Sequence, residues 1–197
     1  MQEQEAPTPP ERPDVDAQGG PDWVLAVRAG EGDDDAFAVL VRRHSASMLA
    51  LAHHLLGNSS DAEDAVQDAF ISAWRRLPQF RGDAAFRTWM YRIVTNRCLN
   101  VLRRRTTAVP LDTVPEPATG NTGSGPPGAA ESAAATAALA HALSRLNPEQ
   151  RACWVLRELH GLHYEEIAQI VGASEQTVRG RLFRARRSLM KEMAPWR

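Results

Sequence analysis

Along most of the chain, apolar residues recur three and four positions apart, and no stretch shows the strict alternation of a half-buried strand. The helical spacing is sustained from Trp23 to about Arg105, then resumes at Ala137 and runs almost to the end. It predicts an all-α protein in two small helical domains, residues 22–105 and 137–197. Between them, residues 106–136 hold five prolines and four glycines, from Pro110 to Gly128. That composition predicts a flexible linker, and about 30 residues could reach roughly 100 Å if extended. Residues 1–21 place Pro7, Pro9, Pro10, Pro13 and Pro21 among acidic side chains, the composition of a disordered tail.

Start and stop signals support the division. Ser60-Asp61-Ala62-Glu63 has the spacing of a capping box, in which a hydroxyl and a carboxylate satisfy orphan backbone N–H groups. Asn147-Pro148-Glu149-Gln150 repeats that logic, with proline at the first helical position. Gly57, Gly161 and Gly172 each follow an apolar helical run, where a helix needs to end.

In the second domain, the run Tyr164 to Ser174 reads as a helix-turn-helix. Ile167, Ala168, Ile170 and Val171 pack a short helix, Gly172 closes it, and Ser174 caps the next. On that second helix Val178, Leu182, Ala185 and Leu189 fall within about 60° of one another and form the buried stripe. Gln176, Arg179, Gly180, Phe183, Arg184 and Arg187 lie mostly on the far side. Arginine forks there suit guanine edges and phosphates, Gly180 permits close approach of the backbone, and Phe183 suits a thymine methyl. Such a helix can enter a major groove.

In the first domain, a helix over Asp61–Leu77 places Ala62, Ala65, Val66, Ala69, Phe70, Ala73 and Leu77 on one face. Asp64, Gln67, Asp68, Ile71 and Arg75 stand opposite, and a large apolar Ile71 among charges points to a protein partner. After Pro78 comes a loop with Phe80, Gly82 and Phe86. The next helix, Thr88–Arg105, carries Trp89, Arg92, Asn96, Asn100 and Arg103 toward one side. Faces to stack on, amides to bond edges and cations for the backbone are what single-stranded bases require.

Charge agrees with this. Residues 36–105 carry eleven basic and five acidic side chains, residues 139–197 ten and six, and residues 1–35 only two basic against ten acidic. A net charge of −1 therefore hides two basic bodies suited to a polyanion. Lys191 is the one lysine among 23 basic residues, so the cations are planar forks. Cys98 and Cys153 lie in different blocks without metal-ligand spacing, as expected of buried, reduced thiols in a cytoplasmic protein. No apolar run reaches the roughly 20 residues of a membrane span. The histidine pairs His53–His54 and His160–His163 lack a carboxylate ligand set, so neither metal nor cofactor is expected. Asp64 and Asp68 have no base or phosphate loop beside them, so no catalytic residue and no enzyme is expected.

These residues resemble a known family. Asp61 to Phe70, Phe80-Arg81-Gly82, Phe86-Arg87-Thr88-Trp89 and Arg92-Ile93-Val94-Thr95-Asn96 resemble region two of extracytoplasmic-function (ECF) sigma factors. Leu146 to Arg151, Tyr164 to Ala168 and Thr177 to Arg186 resemble region four. The resemblance implies a factor that binds core RNA polymerase and directs promoter-specific initiation. Asp64, Gln67 and their neighbours on that face would dock on the β′ clamp helices, and the β flap would be a second contact. Phe80 and Asn96, with Trp89, Arg92 and Arg103 along the same surface, would take the minus-ten element as a single strand with a flipped base. Arg179, Gly180, Phe183 and Arg184, flanked by Gln176 and Arg187, would read the minus-thirty-five element as duplex. An anti-sigma factor would hold the protein inactive. Gly180 departs from the serine common in the family, and the acidic tail is longer than the family needs. The competing reading is a stand-alone helix-turn-helix regulator, which accounts for the second domain but not for the linker or the second basic, aromatic-bearing helix.

Overall fold

The computed structural model describes residues 20–82, 84–108 and 127–194, with the side chains of 106–108 and 127–133 left aside. Eight α-helices and no strand occur among the described residues. In the N-terminal half α1 (Asp22–Gly30), α2 (Asp34–Leu56), α3 (Ser59–Arg76) and α4 (Phe86–Ala108) pack together, with a short 3₁₀ turn at Leu77–Gln79. In the C-terminal half follow α5 (Pro127–Ser144), α6 (Pro148–Trp154), a π-helical turn Val155–Leu159, α7 (Tyr164–Val171) and α8 (Glu175–Glu192). The expected tail and most of the expected linker lie outside the described residues.

The first core follows from the apolar stripes. Leu40, Met48, Leu51 and Leu55 of α2 meet Ala62, Ala65, Val66, Ala69, Phe70 and Ala73 of α3, all buried. Alanines dominate the inner face of α3, so the helices approach closely. Gly30 ends α1 against the 3₁₀ turn, where a Cβ would sit 3.0 Å from the Leu77 carbonyl oxygen. Asp22 in the first turn of α1 bonds the buried His44 ring at 2.8 Å and pairs with Arg43, which ties α1 to α2.

Two boundaries differ from expectation. Gly57 adopts φ 70° and ends α2, leaving Asn58 extended, so Asn58 caps α3 by accepting from the Asp61 N–H at 3.1 Å. Ser60, read as the cap, lies inside the helix. The helix α5 starts at Pro127, ten residues before the helical periodicity was expected to resume. Proline at the first position and the alanine-rich run after it outweigh Gly128.

The two domains pack against each other. One buried cluster runs from α1–α4 into Val155, Leu156, Leu162, Ile167, Ile170, Val178 and Leu182 of the C-terminal half. Helix α4 lies against α7, and α2 against α5, α6 and the π turn. On α4, Met90, Tyr91, Val94, Thr95, Cys98 and Leu99 form one broad buried face, opposite the exposed Arg92, Asn96, Asn100 and Arg103.

Candidate functional site

Three surfaces carry the residues singled out from the sequence. On the first, Gly172 at φ 63° closes α7 and Ser174 caps α8 by accepting from the Thr177 N–H at 3.2 Å, a cap of roughly 1 kcal/mol. Val178, Leu182, Ala185 and Leu189 are buried, as their spacing requires. That orientation leaves Gln176, Arg179, Arg184 and Arg187 exposed, with Phe183 66% exposed among them. Gly180 is half-buried, and a Cβ there would lie 3.6 Å from the Arg184 guanidinium, ordinary contact. A serine would therefore fit, and the glycine is not demanded by packing.

Arg179 is held from two sides. It pairs with Glu175 one turn back at 3.2 Å, and its guanidinium lies 5.5 Å from the Tyr164 ring centroid. Arg157 lies 5.0 Å from the same ring. Arg186 binds Glu158 at 2.6 Å, pinning α8 to the π turn. Tyr164 and Arg157 were not singled out as partners of Arg179. Tyr164 opens the helix-turn-helix run, but only the fold brings Arg157 beside it.

On the second surface, Phe80, Phe86 and Trp89 form one aromatic cluster, with Phe80 and Trp89 centroids 5.1 Å apart. Phe86 is core, 2% exposed and against the His44 ring. Phe80 and Trp89 are half-buried at its outer edge, beside the loop bearing Gly82 at φ 73°. Arg92, Asn96 and Arg103 follow Trp89 at helical spacing, all exposed. Arg103 also reaches Asn100 and, across the two halves, Glu149 at 3.4 Å each.

The third surface lies on the outside of α3. Asp64 and Gln67 are exposed and Ile71 is 42% exposed. Asp68 does not project freely, because Arg97 of α4 pairs with it. Gln67 and Ile71 border an apolar groove of about 790 Å³ between α2 and α3, floored by Phe37, Val41, Phe70 and Trp74. Phe37 and Trp74 rings meet at 4.9 Å. The groove was not legible in the sequence, because its walls come from two helices. Its one advance signal was Ile71.

Burial pushes the Cys98 thiol up to about 12 and raises that of Cys153 as well, so neither is a ready nucleophile. Among the described residues no group of three His, Cys, Asp or Glu side chains is placed to hold a metal, and no helix is long and apolar enough to cross a membrane.

Comparison with known proteins accords with the geometry. Residues 40–107 match the family model for sigma-70 region 2, and residues 136–189 that for sigma-70 region 4. The ECF RNA polymerase sigma-E factor of Escherichia coli strain K12 is 37% identical over 182 residues, spanning 88% of this chain and 95% of that protein. The RNA polymerase sigma-H factor of Pseudomonas aeruginosa is 35% identical over 182 residues, spanning 88% and 94%. Among solved structures, CnrH in complex with the cytosolic domain of CnrY superposes with a TM-score of 0.67 at 29% identity, covering 88% of this chain and 97% of that one. The fold is also that of the sigma factor RpoE from Bartonella quintana, solved with the anti-sigma factor NepR, at a TM-score of 0.62 and 24% identity, over 80% and 96% of the two chains. With both sigma-70 regions matched in order on one chain, the protein belongs to the ECF sigma factors, the promoter-directing subunits of bacterial RNA polymerase.

Proposed function

We propose that the three surfaces divide the labour of initiation as follows. Residues 22–105 dock on core polymerase through Asp64, Gln67 and Ile71 and capture the minus-ten strand. Residues 137–197 read the minus-thirty-five duplex, and the segment between them spans the gap. The observation that carries this reading is that two basic, aromatic-bearing faces and one apolar groove are all exposed on the one chain. The protein acts in the cytoplasm as a non-enzymatic factor: polymerase makes the bonds, and this chain sets where they begin. Asp68, committed to Arg97, shapes α3 and is secondary in docking. Because the sigma factor RpoE from Bartonella quintana is captured with the anti-sigma factor NepR, an anti-sigma factor is the expected partner here.

Energetically the two DNA faces do different work. On α8, phosphate contacts supply most of the grip and base contacts set register. On the N-terminal half, a base leaves its stack at a cost of a few kcal/mol. Stacking on Phe80 and Trp89, worth about 1–3 kcal/mol per base, and edge bonds to Asn96 offset that cost. Opening is thus favoured only where the extruded base fits.

Asn96→Ala tests the capture step. Asn96 is exposed, so its loss leaves the core intact. Promoter opening, followed by permanganate reactivity of unpaired thymines, is expected to fall about tenfold while closed-complex affinity changes less than twofold, as loss of one edge contact of about 1–3 kcal/mol requires. Equal losses in both would remove Asn96 from the capture site.

A further inference from the structure

Two large apolar side chains stand in solvent on α1 and belong to none of the three surfaces. Trp23 is 65% exposed and Val27 48%. Trp23, Val27 and Gly30 stand four and then three residues apart, so they share one face of the helix. Leu25, Ala26 and Ala29 hold the buried side against the core, which leaves that face as an outer flank. Helix packing does not call for an indole there, because a polar residue would complete an amphipathic helix equally well. A lone exposed apolar residue is ordinary, but a tryptophan and a valine on adjoining turns of one face mark an interaction site.

The fold brings this face beside the turn that carries Phe80. At Gly30 it meets the 3₁₀ turn, where a Cβ would sit 3.0 Å from the Leu77 carbonyl oxygen. The same oxygen accepts from the Phe80 N–H at 2.9 Å, so Phe80 lies at the C-terminal end of α1. Phe86, where α4 begins, has its ring 5.4 Å from that of His44. His44 in turn is bonded by Asp22, the residue before Trp23, at the N-terminal end of α1. Phe80 and Phe86 thus lie at the two ends of α1. Trp23 is seven residues from Gly30, about 10 Å along the axis. Arg81 and Arg87, both exposed, each follow one of the two phenylalanines and put positive charge at both ends.

Chemistry favours nucleic acid as the occupant. An indole offers a flat face on which any base can stack, and a strand needs one such ring per base. A stable protein interface needs instead about 800 Å² and roughly 20–30 residues on each side, far more than two side chains supply. The spacing fits as well, since about 10 Å is three nucleotides at roughly 3.4 Å each. We propose that Trp23, with Val27 beside it, is a second base-stacking platform, which takes an unpaired base of the same strand a few nucleotides from the one held at Phe80 and Asn96. This assignment deepens the minus-ten reading above and rests on it. Two platforms hold the opened strand at two points, so the duplex recloses only when both bases leave.

The test uses holoenzyme assembled from the full chain and core polymerase, on a promoter mapped by run-off transcription and premelted at its minus-ten element. Bases of each unpaired strand are removed one at a time to give abasic sites. Trp23→Ala is expected to lower affinity for the premelted promoter about tenfold, as loss of one base–aromatic stack does. Trp23→Phe keeps a ring and is expected to retain most of the affinity. One abasic position is expected to cost the unsubstituted holoenzyme as much and to cost the Trp23→Ala holoenzyme nothing further, as two partners in one contact require. Affinity for core polymerase is expected to stay unchanged. Unchanged promoter affinity in Trp23→Ala would overturn the platform, as would a loss that adds in full to that of every abasic position. A matching loss of affinity for core polymerase would make Trp23 a protein contact and overturn it too. Asn96→Ala in the same assay separates this platform from the reading beneath it. If Asn96→Ala weakens premelted binding and Trp23→Ala does not, the second platform alone fails; if neither does, the single-strand face itself fails.

Discussion

Asp64→Arg is expected to abolish co-purification with core polymerase while leaving the chain folded. Asp64 stands on the outer face of α3, exposed, one turn before Gln67 and two before Ile71. Those two residues border the apolar groove against α2. A helix seated there would bury Ile71, Phe37 and Trp74, with Asp64 exposed one turn from Gln67 on the same helix. Reversing a charge that faces a complementary surface places like charges together at a cost of several kcal/mol, a hundredfold or more in affinity. Thermal unfolding should move by less than a degree or two, because exposed substitutions outside special contacts change stability by about 0.5 kcal/mol. Retention of normal co-purification would place the docking surface elsewhere.

Arg179→Ala is expected to cost about 1–3 kcal/mol at one base position of the upstream element and to relax preference there. The effect should be specific because Arg179 is pre-positioned. Glu175 takes one side of its guanidinium and the Tyr164 ring lies beside it, so little side-chain entropy is lost on engaging a base. Binding measured over a salt series discriminates the role. A base reader leaves the slope of log affinity against log salt nearly unchanged, whereas a phosphate contact lowers it by about one. An unchanged base preference with a shallower slope would make Arg179 a backbone contact.

How far these surfaces could be foreseen differs by residue. The helix-turn-helix was legible because its signals are local. Gly172 adopts a conformation that other residues resist, Ser174 has a side chain that fits a cap, and Val178 to Leu189 keep a strict apolar stripe. The exposure of Phe183 and Ile71 followed from the same periodicity. Caps were less certain where candidates adjoin. Asn58 and Ser60 both suit the role, and Gly57 decides between them by leaving Asn58 extended.

Tertiary features were not legible. Helix α4 buries one broad face, and periodicity records that a face is buried without recording what covers it. The seating of α4 on α7, and with it the hydrogen bonds of Tyr91 to His160 and of Arg151 to the Leu55 carbonyl, therefore has no counterpart in sequence spacing. The α2–α3 groove escaped for a like reason, since Phe37 and Trp74 are 37 residues apart and meet only in the fold. Helix α5 begins at Pro127, within the stretch read as linker, where proline and glycine compete with a run of alanines that favours helix.

The central claim is that one chain supplies both promoter grips to polymerase. Run-off transcription with purified core polymerase, this protein and fragments of the source genome, with start sites mapped, tests it most directly. Initiation at defined sites, each preceded by the same non-palindromic bipartite element, is the result expected. Absence of any defined start, together with binding of the chain to DNA as a symmetric dimer on palindromic half-sites, would contradict it.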